Sequence, residues 1–204
     1  MPSKMTPKTL FDDFWAWRLA RTPEFASLVS SVLQILLAPI IMKCACFQAG
    51  CKEHNSKLET FTLERFREDF EKCKAFSLRC DELLSQERTE MERLNLSLLK
   101  AELDTFVCGH EFKGFMFPIN YIEGLHTDFA RLAGWVSPAG TEDFQEIVER
   151  LRGFGAQADQ VVGVMRAAVG EGRTLHRVSL VTCLEFVSNF CYSVPYREIL
   201  ERSG

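Results

Sequence analysis

Only four histidines occur in the 204 residues, His54, His110, His126 and His176, and no two of them stand four positions apart. That excludes from this chain the H-E-x-x-H helix, in which two imidazoles one turn apart grip zinc and the glutamate activates water. His110 and Glu111 begin such a pair, but position 114 is Gly114. Charge of one sign is also scarce. Twenty-four Lys and Arg stand against 28 Asp and Glu, a net −4 with the signs interleaved, so no nucleic-acid partner is expected. Seven prolines and 12 glycines are too few for low complexity, and no internal repeat is found. Eight cysteines in a chain this long are too sparse for a disulfide framework. Cys73, Cys80, Cys108, Cys183 and Cys191 fall at or beside apolar helical positions, where a free thiol packs as a small hydrophobe. A reducing, cytoplasmic compartment is the expectation.

What is abundant is helical period, and an all-α single domain over residues 1–204 follows. Thr6-Pro7 is a start signal, after which Leu10, Phe11, Phe14 and Trp17 recur at helix spacing. The clearest helix begins near Thr62, where Leu63, Phe66, Phe70, Cys73, Phe76, Cys80 and Leu83 step by three and four. Its other face, with Glu64, Arg65, Glu68, Asp69, Glu71, Lys72 and Lys74, reads as solvated. A second long helix is expected from Gln86 to about Cys108, with Met91, Leu94, Leu98, Ala101 and Phe106 inward. Short helical segments are expected from Thr127 to Trp135 and from Val161 to Val169. Thr141 is expected to cap a further helix with the stripe Phe144, Ile147, Val148 and Leu151, and Thr174 to open a last one broken by Pro195.

Between the second helix and the later ones lies Phe112–Gly124, FKGFMFPINYIEG, apolar in content but punctuated by Gly114, Pro118 and Gly124. Irregular backbone normally runs over the surface, because buried amides need partners. Phe115, Met116, Phe117, Ile119, Tyr121 and Ile122 therefore imply that something covers this connector.

Two segments break the helical pattern. Phe25–Met42 has 18 residues without a charge, the minimum length that nominates a membrane span. Ser27, Ser30, Ser31, Gln34 and Pro39 lower its hydrophobicity, so a buried core helix stands as the first reading and a membrane anchor as the second. A preceding helix with Asp12, Asp13 and Glu24 is unlike a signal-peptide leader. Next comes Cys44, Cys46, Cys51 and His54, thiol and imidazole ligands in number enough to close a tetrahedral zinc site. Structural zinc sites usually pair C-x2-C knuckles, a spacing absent here, so ordinary unligated cysteines are the default.

Other matches are weaker. Gly153, Gly155 and Ala158 satisfy a dinucleotide-type pattern by letter, but they are placed between two helices and follow no strand. Ser97 and Lys100 form an S-x-x-K inside a leucine-rich helix, and Asn95 with Ser97 a glycosylation acceptor that matters only in a secreted protein.

FDDFWAWRLARTPEFAS (Phe11–Ser27), LERFREDFEKCKAF (Leu63–Phe76), the connector, and RLRGFGAQADQVVGVMRAAVGEGRTLHRVS (Arg150–Ser179) resemble the domain-of-unknown-function 885 family. The connector and the G-x-G-x-T-L-x-R of Gly170–Arg177 carry the most specific part of the resemblance. The resemblance implies an all-helical protein longer than this chain, similar to gluzincin-type zinc metallopeptidases, with its H-E motif in the C-terminal half. None of that motif is present, so no catalytic residue carries over. The resemblance further implies that residues 28–49 are an insertion, and that this chain is a shortened N-terminal lobe: the wall of a peptide cleft with Asn120 and Tyr121 at its edge, inactive alone. Zinc and a peptide substrate belong to the longer form. The competing expectation is a non-enzymatic helical interaction module, free or tethered through residues 25–42.

Overall fold

A computed structural model describes residues 5–24, 26, 54, 56–120, 124–125, 127, 140–177 and 179. Among the described residues four long helices carry the fold: α1 (Pro7–Arg21), α2 (Leu63–Leu84), α3 (Glu90–Gly109) and α4 (Thr141–Gly170). Two 3-10 turns, His110–Phe112 and Gly114–Met116, follow α3 directly. The architecture is all-α, and no strand occurs among the described residues.

Side-chain chemistry sets three of the four starts. Thr6 accepts from the amide of Thr9 at 3.2 Å while Thr9 returns the bond to Thr6, with Pro7 occupying the first helical position. Thr62 accepts from Arg65 to begin α2. The expectation of a second helix from Gln86 is corrected to Glu90, because Thr89 and Glu92 form a reciprocal capping box there. Negative Glu90 and Glu92 in that first turn also complement the positive end of the helix dipole.

Helices α2 and α3 make an antiparallel hairpin, the most extensive helix pair among the described residues. Phe76, Cys80 and Leu83 from α2 meet Leu96, Leu99 and Leu103 from α3, and Leu10 of α1 closes the cluster. Phe14 stands edge-on to Phe76 at 5.5 Å, and Trp17 lies 5.7 Å from the same ring. The inward row expected on α3 is corrected: Met91, Leu94, Leu98 and Phe106 are exposed, Leu98 by 62 %. This helix carries leucines on two faces, and periodicity cannot choose between them. The choice follows from the polar edges, where Lys100 reaches Asp81 at 3.0 Å and Ser77 donates to Asp104 at 2.5 Å. Rotating α3 to bury Leu94 and Leu98 would break both contacts. Cys108, expected at an apolar position, is likewise exposed.

The largest departure concerns α4. Two helices separated by Gly153 and Gly155 were the expectation, but one 30-residue helix runs through both. Each interior glycine costs about 0.5–1 kcal/mol relative to alanine. Continuous docking offsets that cost, since Arg150, Gln157, Val161, Val164 and Ala168 are buried on both sides of the glycines. Gly153 itself serves a close approach: a Cβ there would lie 3.2 Å from Leu58 Cδ1. The expected stripe of Phe144, Val148 and Leu151 is also corrected, for all three are exposed. From Asp143 to Gln157 the polar Asp143, Arg150 and Gln157 have taken the inner face instead. Gly172, at φ +72°, ends the helix by letting the chain turn so that the Arg173 amide reaches the Ala168 carbonyl at 2.9 Å.

No described helix is long and apolar enough to cross a membrane. Phe25–Met42 apart from Ala26, Thr127–Trp135 apart from Thr127, and the segment after Ser179 lie outside the described residues.

Candidate functional site: an aromatic cavity with an ion-pair floor

Where α1, α2, α3 and the connector converge they leave a cavity of about 440 Å³. Phe14, Trp17, Phe66, Phe106 and Phe115 supply apolar wall, and His110 is among the lining residues. Arg21, Glu59 and Asp69 form the floor. The connector enters through stacking: Phe115 lies 4.6 Å from Phe66 and 5.1 Å from His110, which in turn stacks on Phe70 at 4.4 Å. Lys113 takes a left-handed conformation at φ 53°, and this kink turns the backbone from the first 3-10 turn into the second.

The floor is the least predictable part of the molecule. Arg21 sits at the last turn of α1 with its side chain 6 % exposed and is bonded to Asp69, whose side chain is equally buried. Its other arm donates to Glu59 at 2.5 Å, and its guanidinium lies 5.8 Å from the centre of the Phe66 ring. Asp69 was expected on the solvated face of α2 and is buried instead. A signal was present: Asp69 stands three residues after Phe66 and four before Cys73, within the apolar row. An acid in that row needs a cation from elsewhere, and Arg21 is 48 positions away.

Behind the floor a polar layer ties His54, Glu59 and Phe61 to Glu24, just past α1, and to α4. Glu24 accepts from the Glu59 amide at 2.9 Å and from Gln157 at 3.1 Å. Gln157 also donates to the Glu59 carbonyl at 3.0 Å, and Gln160 accepts from the Phe61 amide at 2.9 Å. Arg150, 2 % exposed, donates to the His54 carbonyl at 2.6 Å.

Burial pushes the Glu59 carboxyl up to about 7, with Arg21 opposing and Glu24 reinforcing the shift. Its folded value exceeds its unfolded one, so its contribution to stability is fully present below about pH 4.5 and is lost as pH rises through 7. The shift sets an upper bound of roughly 3 kcal/mol. The side chain remains 22 % exposed, so solvent screening brings the expectation to about 1–2 kcal/mol. Glu59→Gln should therefore gain stability relative to wild type between pH 5 and 8, measured as the difference between their thermal-denaturation profiles. A constant difference across that range would show that Glu59 titrates normally.

Cys73 lines the cavity, but burial pushes its thiol up to about 11, so at neutral pH it supplies surface and no nucleophile. The sequence-derived candidates are dispersed. Asn120 is half-buried at the end of the described connector, and Tyr121 lies outside the described residues. From the connector it is Gly114 and Phe115 that line the cavity. His54 is half-buried with its carbonyl held by Arg150, while Cys44, Cys46 and Cys51 lie outside the described residues. Among the described residues no three His, Cys, Asp or Glu side chains are grouped to hold a metal ion. Ser97 is exposed on α3 and Lys100 is held by Asp81 and Asp104. Comparison with family models, curated proteins and solved structures finds no match.

Proposed function

We propose that this chain is a ligand-binding helical lobe, the wall of a cleft that receives an apolar side chain of a peptide, and that it does no chemistry by itself. The aromatic cavity above a buried Arg21–Glu59–Asp69 floor carries this reading. A volume of about 440 Å³ falls in the range of small-molecule sites, which are mostly apolar with a few fixed polar groups. Five aromatic rings offer apolar area, and Glu59 and the Arg18 guanidinium at the wall can orient a peptide amide. The resemblance of the connector to a metallopeptidase-like family supports the same assignment, with any zinc-dependent step belonging to residues this lobe does not carry.

Capped dipeptides bearing Phe, Leu, Lys or Glu, titrated into the isotopically labelled protein, should shift the Trp17 indole and the Phe115 amide for the apolar members first. Phe106→Ala should weaken that binding about tenfold, since a buried aromatic contact contributes on the order of 1.5 kcal/mol. Shifts scattered away from the cavity would remove the proposal. So would chelator-sensitive hydrolysis of a peptide library by the purified chain with added zinc.

A second reading, a non-enzymatic interaction module, is favoured by the uncovered apolar rows on α3 and α4.

A further inference from the structure

The outer face of α4 has an order that exposure alone does not require. Phe144, Val148, Leu151, Gly155, Ala158, Val162, Met165 and Val169 follow one another in steps of four and three along the whole helix. That is the spacing of a coiled-coil seam, sustained over about 38 Å at 1.5 Å per residue. Phe144, Val148, Leu151, Val162 and Val169 are all exposed, Phe144 by 58 % and Val169 by 62 %. The docking face lies elsewhere on the helix, through Arg150, Gln157, Val161, Val164 and Ala168, so attachment to the rest of the fold leaves the seam free.

The seam is self-complementary when reversed. Laid antiparallel on its own copy, it places Phe144 against Val169, Val148 against Met165, Leu151 against Val162 and Gly155 against Ala158. Large residues thus meet smaller ones toward the ends, and the two smallest meet at the centre, where backbones can approach to about 8 Å. A Cβ placed on Gly155 would meet nothing within 4 Å in the isolated chain, so that space is open to a partner. The flanking row is also matched. Gln145, Arg152, Asp159 and Arg166 are exposed along one edge of the seam. In an antiparallel pair this row faces its own copy, setting Arg152 against Asp159 twice by symmetry.

We propose that α4 pairs with the α4 of a second copy of this chain, antiparallel about a two-fold axis between Gly155 and Ala158. The contact is isologous and closes at two chains. It is independent of whether the cavity takes a peptide.

Sedimentation velocity of the full chain over a concentration series tests the pairing. Wild type should run as a monomer–dimer equilibrium. Leu151→Glu and Val162→Glu, both at exposed positions, should each weaken the dimer more than about a hundredfold while circular dichroism keeps its helical amplitude. Arg152→Asp or Asp159→Arg should weaken it about tenfold by setting like charges together, and the double variant R152D/D159R should return to near wild-type affinity. That rescue separates antiparallel pairing from a parallel pair or another surface. A wild type that stays monomeric throughout, a dimer indifferent to Leu151→Glu and Val162→Glu, or a double variant weaker than either single change would each overturn the proposal.

Discussion

Arg21→Met should lower the unfolding free energy by about 3–5 kcal/mol, because it leaves the Asp69 carboxylate buried with its strongest partner removed. The ion pair is not itself a large source of stability, since desolvating two charges consumes most of their attraction. Destabilisation comes from stranding one of them. Arg65 lies 3.5 Å from the other Asp69 oxygen but is one-third exposed, so it compensates only in part. One consequence separates this account from simple loss of packing. The double variant R21M/D69L should recover most of the loss, because two apolar side chains need no charge partner. Urea denaturation of the single and double variants reads it. A loss below about 1 kcal/mol for Arg21→Met, with no recovery in the double variant, would mean that water reaches Asp69 and that the cavity floor is solvated.

Arg150→Met should cost about 2–4 kcal/mol and act on a different part of the molecule. The side chain is 2 % exposed, and its guanidinium bonds the His54 carbonyl closely and lies 3.5 Å from the Pro23 carbonyl. Burial lowers its affinity for its proton, while the charges of Glu24 and Glu146 hold the proton on. Removing the group leaves buried carbonyl acceptors unmet, each costing about 1–3 kcal/mol. Arg150→Lys should recover part of the loss, because both bonds come from one nitrogen, Nη2, and an ammonium carries donors enough for two carbonyls. Hydrogen exchange locates the damage. Amides of α4 should lose protection first, while those around Cys80 and Leu96 in the hairpin keep theirs. Uniform loss across both would show that α4 and the hairpin unfold as one unit and that Arg150 is no local clasp.

The four elements differ in how far their residues announced them. Thr6-Pro7 and Thr62 marked the starts of α1 and α2 because caps are local: the bond spans three residues and needs nothing from the rest of the chain. The buried row Phe66, Cys73, Phe76, Cys80 and Leu83 was equally legible, since α2 has one apolar face. On α3 two leucine rows competed, and the edge contacts of Lys100 and Asp104 with α2 chose between them. On α4 the apolar row pointed outward, because the inner face was claimed by Arg150 and Gln157, whose acceptors come from Pro23, Glu24, His54 and Glu59.

The candidate site was legible only at its rim. The composition of the connector implied a covered, kinked segment, and Phe115 stacked on Phe66 with Met116 buried is how its described part is covered. Of the floor only Asp69 left a trace, by falling within the apolar row of α2; Arg21 and Glu59 are ordinary surface letters until three separate segments meet.

Local chemistry by itself determined the helical class, two of the helix starts and the hydrophobic row of α2, since each depends on bonds and periods within a few residues. Tertiary structure decided which leucine face of α3 is inside, that α4 is continuous through its glycines, and that three charged side chains form a cavity floor. The physical reason is the same in each case: a buried charge or backbone carbonyl is tolerated only where its partner arrives, and that partner comes from a distant part of the chain.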